Sequence, residues 1–453
     1  MCRVSVSRRS VLGVGLAAVT SGLAGCAGSK PPAWTAGEPT GPPGAGAGAA
    51  GVKPVRTATP SPSPAATKPR RVASYEAKLT AELRRFLKPT PENPNHPTYA
   101  GAVALTMING AVHSHVNVGH ALRYGAGPVD LAEAQRVPMY RDSIFDLASL
   151  TKVYASILLL QQVDSGKVDL SAPVVSYLPE FTGTGKDKVT VQMLLTHTSG
   201  LPVGAQVAGL PNLAAKRAAV LKTALMSGVT PGDAFRYSSV GLMVAAMLVE
   251  KVTGKSLDQA LKAGITGPLG LRDTGFKPLT WLSAHDQAQR LVATDARSSR
   301  GLLRGVVHDD VTNQMGGVAG SAGVFATAKD VAVIGQLLLN GGTYNGKRVL
   351  AADTVRRMLT NANAGLPAHD PERPGRPSDH GLGVVLRQPW FMGGLSTAAT
   401  FGHTGFTGTS LLVEPRRKLV FVLLTNRAHP NWSWANPDPM RAALANILAT
   451  ALP

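Results

Sequence analysis

The segments with strand character lie near both ends of the folded part of this chain, and the residues between them have a mainly helical pattern. Near the N-terminal end, predicted strands over 102–107 and 112–118 flank Asn109-Gly110, the strongest short signal for a hairpin turn. Further strands are predicted at 383–386, 410–413 and 419–424. Strands from both ends predict one antiparallel sheet flanked by helices, with a helical lobe inserted between its two halves.

Helices are predicted between and after these strands, so the predicted fold class is α/β, of the α+β type. A short strand over 142–147 runs into a buried helix that starts near Ser149. Residues 331–340 are predicted to form another helix, and a closing helix is predicted over 440–452. The expected lobes are an α/β lobe of about 73–148 and 310–453 and a helical lobe of about 149–309.

A hydroxyl nucleophile and an amine stand three residues apart in Ser149-Leu150-Thr151-Lys152. In the first turn of a helix, positions i and i+3 share a face, so the two side chains would lie together. A serine hydroxyl is a weak nucleophile until a nearby base takes its proton, and a lysine amine can be that base when its charge is suppressed. The S-x-x-K pattern alone is common, however, and Ser149 could equally be a helix N-cap and Lys152 a surface lysine.

Two further boxes follow in order, Tyr237-Ser238-Ser239 before an apolar run and His403-Thr404-Gly405 before two apolar strands. S-x-x-K, S-D-N and K-T-G are the three boxes of class A β-lactamases and penicillin-binding proteins. The Y-S-S and H-T-G variants resemble the class C β-lactamase-like serine hydrolases, a family that includes D-alanyl-D-alanine carboxypeptidases, D-aminopeptidases and esterases. The resemblance covers roughly residues 75–450 and extends to the stretches 194–201, 317–325 and 423–427.

This resemblance implies a β-lactamase/transpeptidase-like fold in which the three boxes meet in the cleft between the lobes. It implies that Ser149 attacks a carbonyl carbon to form an acyl-enzyme, and that Lys152 and Tyr237 share the proton that moves. It also implies an oxyanion hole made of the backbone N–H groups of Ser149 and Phe406. The sequence leaves open whether Lys152 or Tyr237 is the base, and a half-buried core tyrosine is the alternative for Tyr237.

The residues expected to bind substrate depart from the family's commoner pattern at two positions. Ser239 stands where asparagine is more frequent, and its shorter side chain can do less to hold a substrate amide. His403 replaces the lysine of K-T-G, and a neutral imidazole attracts a carboxylate less than an ammonium does. Thr404 and Gly405 are expected to border the substrate, with Gly405 letting an edge strand pass close to it. These departures favour an esterase or an altered peptidase over an efficient β-lactamase.

The sequence predicts neither a metal site nor another cofactor. No H-x-x-x-H or H-x-E pattern of a zinc enzyme occurs, and the only cysteines, Cys2 and Cys26, precede the folded part. His197 is expected to brace a loop through its ring nitrogens, and His308-Asp309 to line the cleft without a catalytic role. The absence of a G-x-S-x-G elbow disfavours an α/β-hydrolase.

The N-terminal residues indicate export. Arg8-Arg9 resembles a twin-arginine signal, and a short apolar stretch over 11–23 follows it. Leu23-Ala24-Gly25-Cys26 resembles a bacterial lipobox, which predicts a signal over residues 1–26 and a lipid on Cys26. An ordinary secretory signal with an incidental cysteine is the alternative. Residues 27–72 are rich in Pro, Gly and Ala and predict a disordered tether that precedes a hydrolase domain over 73–453.

The chain is strongly basic, with 46 Lys and Arg against 27 Asp and Glu and a formal net charge of +19. The basic residues of the folded part are scattered and form no basic helix with interleaved aromatic residues, which argues against nucleic-acid binding. Attraction to anionic lipid headgroups or envelope polymers suits an exported protein better.

Two functions from different classes are compatible with these features. The favoured one is a lipid-anchored hydrolase on the extracytoplasmic side of the membrane, acting through an acyl-enzyme on ester, β-lactam or D-amino-acid peptide substrates. The alternative is a non-catalytic, lipid-anchored envelope-binding protein that retains the fold. The joint presence of Ser149, Lys152 and Tyr237 argues against the alternative, since loss of turnover would remove the reason to keep all three.

Overall fold

The computed structural model of the protein describes residues 75–297 and 299–452. The predicted signal and tether, with Arg8-Arg9 and Cys26, lie outside these residues. Within the described ranges, no helix is both long and apolar enough to cross a lipid bilayer.

The α-helices of the described residues range from one short turn to four turns. They are α1 (Glu76–Arg85), α2 (Thr151–Asp164), α3 (Val191–Thr196), α4 (Leu213–Lys222), α5 (Ser239–Thr253), α6 (Leu257–Leu261), α7 (Gly267–Leu269), α8 (Ala284–Arg290), α9 (Asp310–Gln314), α10 (Ala328–Leu339), α11 (Ala352–Met358), α12 (Pro389–Met392) and α13 (Asp438–Ala451).

The β-strands are longest at the two ends of the described chain. They are β1 (Gly101–Ile108), β2 (Ala111–Leu122), β3 (Tyr124–Gly125), β4 (Val129–Asp130), β5 (Val137–Pro138), β6 (Phe145–Asp146), β7 (Gly275–Phe276), β8 (Ala293–Asp295), β9 (Leu303–Arg304), β10 (Val324–Ala326), β11 (Thr343–Tyr344), β12 (Lys347–Arg348), β13 (Val385–Leu386), β14 (Phe401–Thr404), β15 (Ser410–Glu414) and β16 (Leu419–Thr425).

The main sheet joins the two ends of the described chain. Its seven strands lie in the order β13-β14-β15-β16-β1-β2-β5, and each neighbouring pair is antiparallel. The pairing of β1 with β16 runs from Ala102 opposite Thr425 to Ile108 opposite Leu419. This arrangement confirms the antiparallel sheet that the sequence predicts from both chain ends.

The hairpin between β1 and β2 turns at the predicted dipeptide. Asn109 has a φ of 50° and Gly110 a φ of 79°. Both lie in the left-handed region, as the central residues of a two-residue type I′ hairpin turn must. Strand β2 continues to Leu122, four residues beyond the predicted strand.

Both faces of the sheet are covered by helices. Along β16, Val420 and Val422 pack in the core that includes α2 and α10, whereas Leu419 and Phe421 pack in the core that includes α1 and α13. Because both faces are buried, the strand is a continuous apolar run without alternation. Helix α10 lies so close to the sheet that a Cβ at Gly335 would lie 2.6 Å from Cγ1 of Val420.

Helices α2 and α5 pack against each other in the larger hydrophobic core. Ten consecutive residues are buried in each, Thr151–Leu160 in α2 and Val240–Val249 in α5. A helix that is apolar on all sides must lie inside the core. Since the Ser149 and Tyr237 boxes precede these two helices directly, the packing of the helices brings the boxes together.

Strand β14 carries the H-T-G box into the same region. Strand β13 pairs with β14 only at Phe401 and Gly402, so the outer edges of His403 and Thr404 have no strand partner in the described chain. This box therefore lies where the sheet edge is open, beside the turn that holds Ser149.

Candidate active site

Ser149 lies in a 3₁₀ turn, Ala148–Leu150, between β6 and α2. The sequence predicts the first turn of an α-helix here, but α2 begins only at Thr151. The difference leaves the side-chain geometry intact, because a 3₁₀ turn has three residues per turn and places positions i and i+3 directly above one another.

The residue directly before Ser149 in this turn has a strained backbone. Ala148 has a φ of 46°, in the left-handed region that non-glycine residues adopt at a cost of about 1–3 kcal/mol. The carboxylate of Asp146 holds the turn by accepting hydrogen bonds from the Ala148 N–H at 2.9 Å and from the His308 N–H at 2.7 Å. Burial raises the pKa of Asp146 above its usual value, although these two N–H groups act in the opposite direction.

The amine of Lys152 is buried among oxygen acceptors, with 1% of the residue exposed. Its Nζ lies 3.0 Å from Oγ of Ser149, 2.9 Å from the carbonyl oxygen of Ser321 and 3.3 Å from Oγ of Ser239. Three acceptors match the donor capacity of a lysine amine. The surface-lysine alternative is therefore wrong for this residue.

Tyr237 converges on the same serine oxygen. Its hydroxyl donates to Oγ of Ser149 at 2.8 Å, and Nζ of Lys152 lies 5.0 Å from the centre of its ring. Both candidate bases are thus within hydrogen-bonding reach of the candidate nucleophile, which is the first geometric requirement for proton transfer.

The Y-S-S box is fixed at the start of α5. Ser238 caps the helix by accepting from the Gly241 N–H at 2.9 Å, and its hydroxyl donates to the Pro202 carbonyl at 2.8 Å. Ser239 is the first residue of the helix, so its hydroxyl reaches back to Lys152.

His403 is buried and neutral. Its Nδ1 lies 2.8 Å from the carbonyl oxygen of Thr404, and because a carbonyl can only accept, Nδ1 carries the hydrogen. Its Nε2 has no hydrogen-bond partner in the described residues. Burial, with a further contribution from the charge of Lys152, lowers the pKa of His403 to about 3. The ring therefore has no N–H left for a substrate carboxylate.

Gly405 passes too close to the Ser149 segment to carry a side chain. A Cβ at this position would lie 2.3 Å from the carbonyl oxygen of Leu147 and 2.1 Å from Oγ1 of Thr409. The loop beyond Gly405 is tied to the same segment, since Thr407 donates to the Asp146 carbonyl at 2.7 Å and Thr409 to the Leu147 carbonyl at 2.9 Å.

These ties bring together the two backbone N–H groups expected to form an oxyanion hole. Neither the Ser149 N–H nor the Phe406 N–H donates a hydrogen bond within the described residues. These two N–H groups lie on segments that are hydrogen-bonded to each other, and both are available to donate to a substrate oxygen. An oxyanion site requires such donors.

The Phe406 side chain is exposed to solvent, with 42% of the residue accessible. Its ring centre lies 5.4 Å from that of His308 and 5.6 Å from that of Trp432, and the Arg427 guanidinium lies 4.6 Å from it. This group of three rings and one cation offers an apolar surface with positive charge beside the two free N–H groups.

His197 and His380, which the sequence did not join to the site, lie behind Tyr237. Nδ1 of His197 accepts the Ser238 N–H at 3.1 Å, and its ring centre lies 4.6 Å from that of Tyr237 and 4.9 Å from that of His380. His197 thus braces the Y-S-S segment through one ring nitrogen, as expected, whereas its Nε2 has no partner in the described part of the chain. Burial holds the pKa of His197 well below its usual value and lowers that of His380 to about 3.

His308 and Asp309 have different positions. His308 lies against Phe406 and 3.5 Å from the Asp295 carboxylate, whereas Asp309 caps α9 by accepting from the Thr312 N–H at 2.7 Å. Among the residues that the structure describes, no group of three or more His, Cys, Asp or Glu side chains is arranged to hold a metal ion.

Sequence reasoning also missed the Ser321 carbonyl, which accepts from Lys152, and Arg441, which donates to the Gly405 carbonyl. A main-chain acceptor has no residue-type signal, and an arginine on a C-terminal helix resembles any other basic helix residue. Only the positions of these groups in space connect them to the site.

Comparison with known proteins gives one consistent family. The family profile described as Beta-lactamase matches residues 83–446 of this chain. A protein of Salmonella enteritidis, named as a candidate D-alanyl-D-alanine carboxypeptidase, is 32% identical over 340 residues, which cover 69% of this chain and 75% of that protein.

Two solved structures share the fold at lower identity. A penicillin-binding protein homologue from Caulobacter crescentus has a TM-score of 0.62 and 22% identity, and the match covers 84% of this chain and 99% of that one. A family VIII carboxylesterase has a TM-score of 0.60 and 21% identity, with 84% of this chain and 98% of that one covered.

The buried neutral histidines predict sensitivity to acid. Burial lowers the pKa values of His380, His403 and His429 to about 3, whereas an unfolded histidine titrates near pH 6.5. As pH falls below about 6.5, the unfolded chain binds protons that the folded chain excludes, so the free energy of unfolding falls by up to about 1.4 kcal/mol per pH unit for each histidine.

The variant His429→Gln isolates one of these contributions. Nε2 of His429 accepts the N–H groups of Arg123 and Tyr124, and a glutamine oxygen can take over as acceptor without titrating. Urea unfolding at pH 7, 6 and 5 should show a shallower loss of stability in this variant than in the wild type. His113→Gln, at an exposed position, is the control and should keep the wild-type slope. Equal slopes for His429→Gln and wild type would contradict the prediction.

Proposed function

The chain belongs to the beta-lactamase family, and from this premise we propose that it is an exported, membrane-anchored serine hydrolase in which Ser149 forms an acyl-enzyme. The observation that carries the proposal is the convergence of Lys152 Nζ and Tyr237 OH on Oγ of Ser149, at 3.0 Å and 2.8 Å. A hydroxyl bordered by two groups that can exchange a proton is an activated nucleophile.

The proposed reaction runs in two halves. Oγ of Ser149 attacks the substrate carbonyl carbon while its proton passes to the Lys152–Tyr237 pair, and the carbonyl oxygen becomes an oxyanion facing the N–H groups of Ser149 and Phe406. The carbon–leaving-group bond then breaks, and the leaving oxygen or nitrogen takes the proton from the pair. Water then attacks the acyl-enzyme through the same steps and releases the acid, which returns Ser149 to its starting state.

The first test is substitution of the three converging side chains. Ser149→Ala, Lys152→Ala and Tyr237→Phe should each lower ester turnover by about two orders of magnitude or more, since removal of a general base typically costs 10²–10⁴-fold. Double variants should lose much less than the product of the single losses, because the three groups act as one unit. A fluorophosphonate probe should label Ser149 in the wild type, with intact mass measured before and after labelling.

The results also separate the two candidate bases. Near-normal turnover in Tyr237→Phe would assign the base role to Lys152 alone. Labelling that persists in Ser149→Ala, or full activity in that variant, would contradict the proposed nucleophile.

The substrate proposal follows from His403 and from the exposed rings of Phe406 and Trp432. His403 uses its one N–H on the Thr404 carbonyl and carries no charge at neutral pH, so this box offers little to a substrate carboxylate. The exposed Phe406 and Trp432 rings offer apolar contact instead. Short-chain and aromatic esters without a carboxylate are therefore the proposed preferred substrates, with β-lactams and D-amino-acid peptides as poorer ones.

A specificity ratio tests this preference. We expect kcat/KM for a short-chain p-nitrophenyl ester to exceed that for the β-lactam nitrocefin. His403→Lys should move the ratio toward the carboxylate-bearing β-lactam by roughly tenfold to a hundredfold, because a charge-assisted hydrogen bond contributes about 1.5–3 kcal/mol. His429→Gln, at a buried histidine outside the site, is the matched control. A wild type that prefers nitrocefin, or an unmoved ratio in His403→Lys, would show that this box does not set specificity.

The location of the protein is proposed from Cys26 and the preceding Leu23-Ala24-Gly25. A lipid on Cys26 would anchor the chain, the 27–72 segment would hold the hydrolase domain away from the bilayer, and the net charge of +19 would favour anionic headgroups and envelope polymers. Cys26→Ala should move the protein from the membrane fraction to the soluble fraction of the cells that produce it. Salt washing controls for purely electrostatic attachment, and unchanged fractionation after that wash would contradict lipid anchoring.

A further inference from the structure

Arg441 contacts backbone carbonyl groups of the loop Gly405–Thr409, which carries the Phe406 N–H of the candidate oxyanion hole. It belongs to α13 and is 3% exposed. Its Nη2 donates to the carbonyl oxygen of Gly405 at 2.8 Å and to that of Thr409 at 3.0 Å. One guanidinium nitrogen therefore binds the carbonyl oxygens of the first and last residues of the five-residue loop Gly405–Thr409.

The Gly405 carbonyl and the Phe406 N–H belong to one peptide group. In a trans peptide the C=O and N–H bonds point in opposite directions within one plane, so a donor that fixes the oxygen also fixes the direction of the hydrogen. The Gly408 N–H donates to the same oxygen at 3.0 Å. We infer that Arg441 is a positioning residue, which holds the Gly405–Phe406 peptide so that the Phe406 N–H stays aimed at the oxyanion of the proposed reaction.

The position of Arg441 is itself fixed. Its Nη1 donates to Oδ1 of Asp438 at 2.9 Å, and Nε of Arg373 donates to the other carboxylate oxygen at 2.9 Å. Gly405 has no side chain that could substitute for this support, and a Cβ there would collide with Leu147. The orientation of the peptide thus depends on hydrogen bonds to its oxygen.

Arg441 also strengthens the donor electrically. Burial, opposed by Asp438, lowers the pKa of Arg441 to about 10, so the guanidinium remains protonated at pH 7. A cation hydrogen-bonded to an amide oxygen draws electrons from the amide nitrogen, and its N–H becomes a better donor. This effect is felt most when the substrate oxygen carries negative charge, which is in the transition state.

A paired substrate separates this role from general support of the fold. The test compares a short-chain ester with its thionoester, in which sulfur replaces the carbonyl oxygen and accepts hydrogen bonds poorly. A working oxyanion hole favours the oxygen ester, whereas damage to Ser149, Lys152 or Tyr237 slows both substrates alike. The measured quantity is the ratio of kcat/KM for the ester to kcat/KM for the thionoester, in protein whose fold is checked by circular dichroism and thermal melting.

Arg441→Met should lower this ratio about tenfold or more, and Arg441→Lys, which keeps the charge but not the fork of donors, should lower it less. Arg304→Met is the matched control, since Arg304 also donates to two backbone carbonyls, those of Leu291 and Ala288, but far along the chain from this loop. Its ratio should equal that of the wild type.

If Arg441→Met slows both substrates equally, or slows neither, the ratio is unmoved and the inference is overturned. If that variant does not fold, Arg441→Lys and Asp438→Asn decide, and an unmoved ratio in both overturns it. The inference rests on the proposed function, and failure of that function would give a different result. If Ser149→Ala hydrolysed the ester as fast as the wild type, the acyl-enzyme proposal would be refuted, and this inference with it.

Discussion

The buried amine of Lys152 is the constraint around which the rest of the site is arranged. An amine taken out of water without partners costs several kcal/mol, and here the partners come from three separate segments. They are Ser149 in the turn before α2, Ser239 at the start of α5 and the carbonyl of Ser321 in the loop before β10. The amine is satisfied only when these segments meet, so its burial and the packing of α2 against α5 depend on each other.

Two histidines near this amine, His197 and His403, are kept uncharged. Burial depresses the pKa values of His197 and His403, and the charge of the nearby Lys152 lowers them further. Imidazoles kept neutral in this way can fill space and accept or donate single hydrogen bonds without adding positive charge beside the amine. Because it is neutral, His403 lacks the fixed positive charge that a lysine in the third box would offer a substrate carboxylate.

The loop Gly405–Thr409 is supported by the last helix, α13. The residues of Gly405–Thr409 are held on one side by Asp146 and Leu147, shortly before Ser149, and on the other side by Arg441 of α13. The Ser149 segment, the loop and the closing helix therefore form one hydrogen-bonded unit. The sheet makes this possible because β14 and β15 lead the chain into and out of the loop, while α13 packs against the opposite face from α2.

The sequence by itself determined the features that depend on neighbouring residues. Asn109-Gly110 predicts the hairpin because both positions must adopt positive φ, and the spacing of Ser149 and Lys152 predicts a shared face in either kind of helical turn. The apolar runs of β16 and α5 predict burial, and the order of the three boxes predicts the family. Only the tertiary structure decided that the H-T-G histidine is neutral, that His380 lies behind Tyr237, that a Ser321 carbonyl completes the lysine site and that Arg441 holds the Gly405 peptide. These properties depend on burial and on distances between segments far apart in the chain, and neither quantity exists until the helices pack on the sheet.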